Sequence, residues 1–598
     1  MADQQKKTMP IDYTHREYTS IRSDLMQIAE RFYPDTFQDF SEASFGAMMI
    51  DSVAYVADQL SFYLDYSVNE AFLDTAYQFD NVVRHGRALG YKFGGRPSTY
   101  GTVAFFVLIP ASGTGMGPDT DYIPILKRGT VLGSDSGNSF VLTENVDFAA
   151  SSNVTVAARI DSGTGAPTHY AIKAYGNVVS GFFGQETVAV GGYQRFLNIT
   201  LNSANIAEVL SVFDSEGNEY FEVDYLAQDM VHKEIVNPNF KNDNVSSLMK
   251  PFLVSRKFVV EAGRASTSLQ FGSGKEGLSN VVANPQNVAV EVFGKQYITD
   301  VAFDPTRLSQ NESFGMVPVN TNLTITYRAT NPLNSNIAVG GINSVEGARF
   351  EFVNQQDLTN SKVQEIIQSI EVNNETPIVG AVSYPTSGEI KQRIYDTFPT
   401  QNRAVTQTDY ESMVYRMPLK FGSVKRCSVQ KDANSQKRNL NLYVISEDSE
   451  GKLTETNATI KNNLKTWINN FRMINDTVDI LDPFILNFGI QFIVKSKQAS
   501  DKYTILEQCV QKLKDRFLGS FFIGEPLYIS DLYQQLKDVH GVLDVVKVKI
   551  VGNSGGSYSA SSININQNMS QDGSYLVVPN NAILELKYPE VDVVGKVT

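Results

Sequence analysis

Apolar side chains recur three and four residues apart through most of the first hundred positions, the spacing that lines one face of a helix. The pattern predicts helix over residues 14–89 with a break at Pro34, and Gly90 and the run Gly94-Gly95-Arg96-Pro97 stop it. Its clearest stretch is 43–66. There Met49, Val53, Val56, Leu60 and Tyr63 follow at alternating intervals of four and three, and Ile50, Ala54, Ala57 and Leu64 form a second seam beside them. Tyr55, Phe62 and Tyr66 fall on much of the remaining circumference. Such a rod would be about 36 Å long. Because it is apolar around most of its surface, it has to be covered on most sides.

From 98 to 384 the pattern changes to short alternating or β-branched runs, such as 102–109, 153–160, 258–261 and 323–327, separated by Gly, Pro, Asn and Ser. One or two β subdomains are expected there. Beyond Pro385 the two periods alternate. Helices are predicted around 387–398, 408–416, 454–471 and 501–518, and strands around 423–429, 440–446, 484–495, 542–551 and 582–588. In the helix from Asp501 the expected buried face is Leu506, Val510, Leu513 and Phe517, behind a cap at Ser500 or Asp501. The expected fold class is α+β and multidomain: an N-terminal helical region over 1–97, a β-rich middle over 98–384, an α+β domain over 385–498 and a C-terminal α+β domain over 499–598.

Composition narrows the function. At 598 residues the chain exceeds what one core serves, so several domains are needed. Only 19% of residues are charged, below the usual quarter, which suits a β-rich chain with large protein contacts. A net charge of −14 argues against a general nucleic-acid binder, which needs a cationic surface to displace counterions. Cys427 and Cys509 stand 82 positions apart without CxxC spacing, so neither a disulfide framework nor a zinc site is indicated, and a reducing compartment fits. No apolar stretch follows the polar start at residues 1–10, as a secretory signal would require, and nowhere do 18 apolar residues run together, so no membrane insertion is expected.

Between residues 32 and 83 stand nine carboxylates and no Lys or Arg. Three of them, Asp51, Asp58 and Asp65, recur every seven residues, about 10 Å apart along the long helix, and form its only polar stripe. Each like-charged pair repels by only about 0.4 kcal/mol in bulk water. The stripe reads either as a solvated face or as a docking edge for a basic partner. A complementary segment, 420–438, carries Lys420, Lys425, Arg426, Lys431, Lys437 and Arg438 against the single acid Asp432. Its plainer reading is a solvated hairpin; its functional reading is a contact for an acidic neighbour, including another copy of the chain. No aromatic stacking pattern accompanies it, which disfavours nucleic acid.

The remaining candidates for chemistry are weak. Gly272, Gly274 and Gly277 match GxGxxG, but the residues after them contain Asn284-Pro285 and no helical period, which argues for a loop between strands rather than a nucleotide site. His15, His85, His169, His232 and His540 lack the spacing of a helical metal pair, and His85 reads as a packing or surface residue. Asp119 and Asp121, in a Gly-Pro loop, read as turn formers rather than cation ligands. GxSxG, Walker A and HExxH are absent. No enzyme, metal or cofactor is therefore expected.

Several stretches together resemble the baseplate-wedge family of T-even-like contractile-tailed phages and, more distantly, the baseplate J-like family. In the N-terminal region they are Asp39-Phe-Ser-Glu-Ala-Ser-Phe-Gly-Ala-Met-Met-Ile-Asp51, Val56-Ala-Asp-Gln-Leu60, Asn69-Glu-Ala-Phe-Leu-Asp-Thr-Ala76 and Arg87-Ala-Leu-Gly-Tyr-Lys92. Later ones are Gln270-Phe-Gly-Ser-Gly-Lys-Glu-Gly277, Thr326-Tyr-Arg-Ala-Thr330 with Gly340-Gly341, and Arg403-Ala-Val-Thr-Gln-Thr-Asp-Tyr-Glu411. They stand in the family's order along most of the chain. The resemblance implies a structural virion component, made in the host cytoplasm, whose copies associate with each other, as a homodimer within a wedge, and with other wedge subunits and a sheath-initiator-type protein in a sixfold ring around the tail tube. It also implies N-terminal helices joined in a core bundle and contacts around the ring from more C-terminal domains. The expected bundle contacts are Met49, Val53, Val56, Leu60 and Tyr63, with Asp51, Asp58 and Asp65 orienting the partner and Lys425 and Arg426 as a second contact. No role is carried onto 112–320. Two rival readings are a β-rich adhesin or glycan-binding tail component, suggested by the Tyr, Asn and Ser of the middle, and a glycan hydrolase, which needs two positioned carboxylates.

Overall fold

The structure is a computed structural model that describes residues 17–598 apart from 34–40, 42–43, 114–115, 204, 238–246, 264–265, 275–313, 331–334, 354–355, 357, 384, 433–438, 498–501 and 518–520. Pro34, Asp35, Asp39, Glu42, Gly277, Lys437, Arg438, Ser500 and Asp501 lie outside the described residues, and with them the expected break, the cap and the loop after Gly274. The fold class is α+β and multidomain, with N-terminal helices, a β-rich middle and small α+β elements toward the C-terminus. The chain divides into two compact units. One comprises Met1–Lys92 with Pro385–Phe398, the other Phe93–Tyr384 with Pro399–Thr598.

In the first unit the helical period resolves into α1 (Tyr18–Phe32), α2 (Phe45–Glu70) and α3 (Phe79–Ala88). α2 starts where the Ser44 hydroxyl accepts from the Ala47 amide at 3.0 Å, satisfying one orphan donor of the first turn. Beyond Gly46 it contains neither Gly nor Pro. α3 buries Val82, Val83 and Gly86 against the helix Ser387–Thr397, whose Ile390 and Ile394 are fully covered. The approach is close because Gly86 has no side chain: a Cβ there would stand 2.7 Å from Ile394 Cδ1. Thr386 and Glu389 close a reciprocal capping box at the start of that helix.

The second unit begins with a seven-stranded antiparallel sheet. Its longest pair, Tyr100–Pro110 with Pro167–Ser180, is in register from Tyr100 opposite Val179 to Pro110 opposite His169. Alternate side chains of Tyr100–Pro110 point into a core of Val103, Phe105, Val107, Ile109, Phe140 and Ile172, closed by the helix Asn360–Gln368 through Val363 and Ile366. A second seven-stranded sheet, from Phe182–Val190 to Asn198–Thr200, encloses Val212, Phe258, Leu269, Phe271, Leu323 and Ile325. The four sampled β runs of the middle all occur as strands. The helix Asn360–Gln368 inside that middle and the helix Ile529–Lys537 near the end were not anticipated.

The two four-stranded C-terminal sheets follow the alternation read from sequence. Asn439–Glu447 is central in the first, with the helices Gln407–Tyr415 and Ala458–Asn469 packed on it around Tyr410, Met413, Ile460 and Leu464. Phe484–Ser496 is central in the second and carries the largest core. Two details differ from expectation. Residues 454–471 are not one helix: the strand Leu453–Glu455 precedes Asn457, whose side chain caps Ala458–Asn469 by accepting from the Thr459 amide at 2.8 Å. In Lys502–Phe517 the buried line is Ile505, Cys509, Leu513 and Phe517, while Leu506 and Val510 are only partly covered. A spacing of four places both sets on neighbouring faces, and the position of the sheet selects between them.

Buried polar cross-links tie these parts of the second unit together. Arg328, nearly inaccessible, donates to the Ser98 hydroxyl at 3.1 Å and to the Ser180 carbonyl at 2.6 Å, and pairs with Glu208 at 3.3 Å, so it bridges the first two sheets. The Asn336 amide donates to the carbonyls of Ala381 and Glu447, at 2.8 and 2.9 Å, and accepts from the Ala381 amide. Gly181 is the single residue between the strands Pro167–Ser180 and Phe182–Val190. Its φ is +118°, and a Cβ there would meet the Ala329 carbonyl oxygen at 2.5 Å. Gly181→Ala should therefore destabilise the second unit by roughly 1–3 kcal/mol, because backbone strain and a backbone clash add. Gly191→Ala, where nothing lies within 4 Å, should leave the melting midpoint unchanged, as scanning calorimetry of both full-length variants would show.

Candidate assembly surface

The 26 residues of α2 extend about 39 Å, yet only Ala47, Ala54 and Glu70 of them are buried. α1 folds back along one side, with Ile50 and Ala57 half-buried around Ala54. The two seams read from sequence therefore separate. The Ile50–Ala54–Ala57 seam turns inward, whereas Met49, Val53, Val56, Leu60 and Tyr63 stay in water, from 49% exposed at Met49 to 61% at Tyr63. Tyr55, Phe62 and Leu64 are exposed as well, and Phe62 stacks on Tyr66 at 6.3 Å between ring centroids. A large apolar side chain left half in water forgoes on the order of 1 kcal/mol of burial. Together these side chains leave a contiguous apolar surface along α2.

The acidic stripe also divides. The Asp51 carboxylate accepts from Arg22 Nε of α1 at 2.5 Å, so part of its charge is answered inside the unit. Asp58 is half-buried and Asp65 exposed. Asp65 lies on a groove of about 460 Å³ lined also by Ile21, Ala57, Leu60, Leu64 and Val68. The groove combines an apolar floor with a carboxylate at its edge.

Sequence reasoning assigned no role to Glu70, although it falls inside the quoted motif Asn69–Ala76. It is buried at the end of α2 and accepts from the Tyr77 amide at 2.8 Å, the Gln78 amide at 3.1 Å and the Asn81 side-chain amide at 2.8 Å. His85 Nε2 lies 2.8 Å from the Glu70 carbonyl, which makes that histidine a packing residue. Glu70 thus fixes the turn that leads into α3. From the helix Ser387–Thr397, Lys391 Nζ donates to the Asp74 carbonyl at 2.7 Å and the Tyr395 hydroxyl to the Asp74 carboxylate.

Lys425 and Arg426 pack against residues of this chain. Lys425 Nζ pairs with Glu447 at 2.5 Å and donates to the Ser383 hydroxyl at 2.5 Å, and both members of the pair are largely covered. Arg426 is buried, with its guanidinium 4.5 Å from the Phe522 ring centroid. Lys420 stands 3.9 Å from Glu208 and 3.8 Å from Glu222. Of the basic segment seen in sequence, Lys425 and Arg426 are therefore drawn into the fold, while Lys431 is exposed. Asp119 caps the short turn Thr120–Tyr122 by accepting from the Asp121 amide.

The family model described as bacteriophage baseplate protein, N-terminal domain, matches residues 17–88, the segment that holds α1, α2 and α3. No curated protein matches the chain. Among solved structures, a chain of the anti-feeding prophage baseplate, determined by cryo-electron microscopy with sixfold symmetrisation, is 9% identical over 94% of this chain and 90% of its own, at a TM-score of 0.26. A chain of the type VI secretion system TssK-TssF-TssG baseplate subcomplex is 8% identical over 73% of this chain and 95% of its own, at 0.25. Superpositions this loose carry no argument about function, which rests instead on the N-terminal match and on the surface of α2.

The Asn81 amide, together with the Tyr77 and Gln78 backbone N–H groups, holds the Glu70 carboxyl below its ordinary range. A depressed carboxylate stabilises the fold above its ordinary pKa, and that stabilisation disappears as pH falls through the depressed value. Glu70→Ala should therefore speed amide exchange over residues 77–88 at neutral pH. The difference from the unmodified chain should shrink in acid, measured by hydrogen exchange at a series of pH values.

Proposed function

We propose that the chain is a structural, non-enzymatic subunit of a contractile-tail baseplate, of the wedge type, which works by holding other polypeptides in place. The observation that carries this reading is the uncovered apolar circumference of α2, inside the segment that matches a baseplate N-terminal domain. A helix exposing Val53, Val56, Leu60 and Tyr63 over several turns gains stability only when other chains cover it, and a helical bundle is the arrangement in which α2 buries those positions. The partners are other copies of the chain and further wedge subunits, including a sheath-initiator-type protein, and the assembly is a ring around the tail tube in the virion. Asp58 and Asp65 set the orientation of the partner helix by charge, while Asp51 keeps α1 in place. No cofactor takes part.

Co-expression with neighbouring structural genes, followed by mass measurement of the complexes, tests the proposal. Val56→Lys with Leu60→Lys should abolish the complex or weaken it by about 100-fold, the size expected for buried anchors, and should leave the chain itself folded because both side chains already face water. Charge reversal at Asp58 and Asp65 should weaken association to a smaller degree. A full-length chain that stays monomeric beside every tail protein offered would end the proposal.

A further inference from the structure

In the second C-terminal sheet, Phe484–Ser496 runs between Val542–Asn553 and Val593–Val597, antiparallel to the first and parallel to the second. Side chains of a strand alternate between its faces, so the pairings fix which residues share one. Ile490, Phe492 and Val494 point into the core beneath the helices Lys502–Phe517 and Ile529–Lys537, with Ile550 buried and Val548 and Val597 partly covered beside them. The opposite face carries Gln491 between Lys549 and Val594, and Ile493 between Lys547 and Lys596. Lys495 follows on the same strand, opposite Asp544. Lys495, Lys547, Lys549 and Lys596 are all exposed, as are Gln491 and Val594.

Four cations therefore share one sheet face, and among the described residues none of them stands within 4 Å of a carboxylate oxygen. Asp544 is the one acid paired into these rows, and its carboxylate accepts from the Val545 amide at 2.9 Å. Neighbouring strands lie about 4.8 Å apart, which sets Lys547 and Lys596 about 10 Å from each other across Ile493. Lysines on edge strands discourage unwanted strand pairing. Lys495, however, lies in the central strand, and guarding an edge does not require cations on the same side of three strands. A solvated face ordinarily mixes both signs of charge. Here a single sign surrounds the apolar pair Ile493 and Val594, the layout of an interface with an apolar centre and a polar rim.

The chemistry of the face selects its partner. It presents no Arg to grip a phosphate or base edge with two parallel bonds and no aromatic ring to stack a base. The chain's net charge of −14 also opposes a polyanion such as nucleic acid. Carboxylates seven residues apart on a helix are about 10 Å from each other, the separation of Lys547 and Lys596, and a side chain midway between them lies on the same side of the helix. We propose that this face docks an acidic amphipathic helix of another polypeptide, whose carboxylates pair with Lys547 and Lys596 around an apolar side chain seated on Ile493 and Val594. The contact uses no residue of α2 and stands whether or not the assembly role of α2 does.

Fluorescence anisotropy tests it, with the full chain titrated into a labelled helical peptide that carries two Glu seven residues apart and a Leu midway. The peptide should bind at low salt and be released at high salt, and the same peptide with Gln for Glu should not bind. Lys547→Glu with Lys596→Glu should weaken binding by about tenfold, since two surface ion pairs each become a repulsion. Lys465→Glu with Lys537→Glu changes the charge equally on exposed helix positions elsewhere and should leave binding unchanged. All four side chains are exposed, so both variants should melt with the unmodified chain. Equal binding of the Gln peptide, or binding indifferent to the substitutions at Lys547 and Lys596, would overturn the proposal. A single-stranded oligothymidylate that binds as tightly as the Glu peptide, and is lost in the same variant, would replace it with a nucleic-acid surface. Salt-sensitive self-association of the unmodified chain, abolished by Lys547→Glu with Lys596→Glu, would replace it with a second copy as the occupant.

Discussion

Water against the apolar surface of α2 is the constraint that organises the first unit. α1 covers the Ala54 seam and brings Arg22 to Asp51, and Glu70 turns the chain into α3, which packs on Ser387–Thr397 through Gly86. Each contact covers or anchors one side of the helix. None reaches Val53, Val56, Leu60 or Tyr63, which remain exposed. Folding of this unit therefore leaves one apolar side of α2 in water, and the proposed assembly role rests on that side.

The second unit meets the opposite condition. Its cores are enclosed by its own sheets and helices, and its notable internal contacts are polar: Arg328 between two sheets, Asn336 between the β-rich middle and the strand ending at Glu447, and Lys425 on Glu447. Burying such groups costs desolvation free energy, which hydrogen bonding offsets only when geometry is good. Their value lies in fixing which strand ends meet.

The long helix, the β runs at 102–109 and 323–327 and the alternating elements after 385 were legible because local periodicity reports which positions leave water. The face of Lys502–Phe517 was legible only to within one step around the helix, since Ile505 and Leu506 both begin a spacing of four and the packed sheet decides between them. Glu70 was not legible as a cap, because its partners sit seven to eleven residues away and beyond a turn. Lys425 and Arg426 looked like a surface charge cluster, whereas Glu447, Ser383 and Phe522, distant in sequence, draw them inward.

Sequence alone therefore determined the fold class, the most apolar helix and the sign of its polar stripe, all of which depend on the order of side chains along one element. Tertiary structure decided which seam of α2 is covered, which carboxylate of the stripe lies against Arg22 and how Lys425 and Arg426 are drawn onto distant residues. Those outcomes depend on distances between residues far apart in the chain, and no local spacing encodes them.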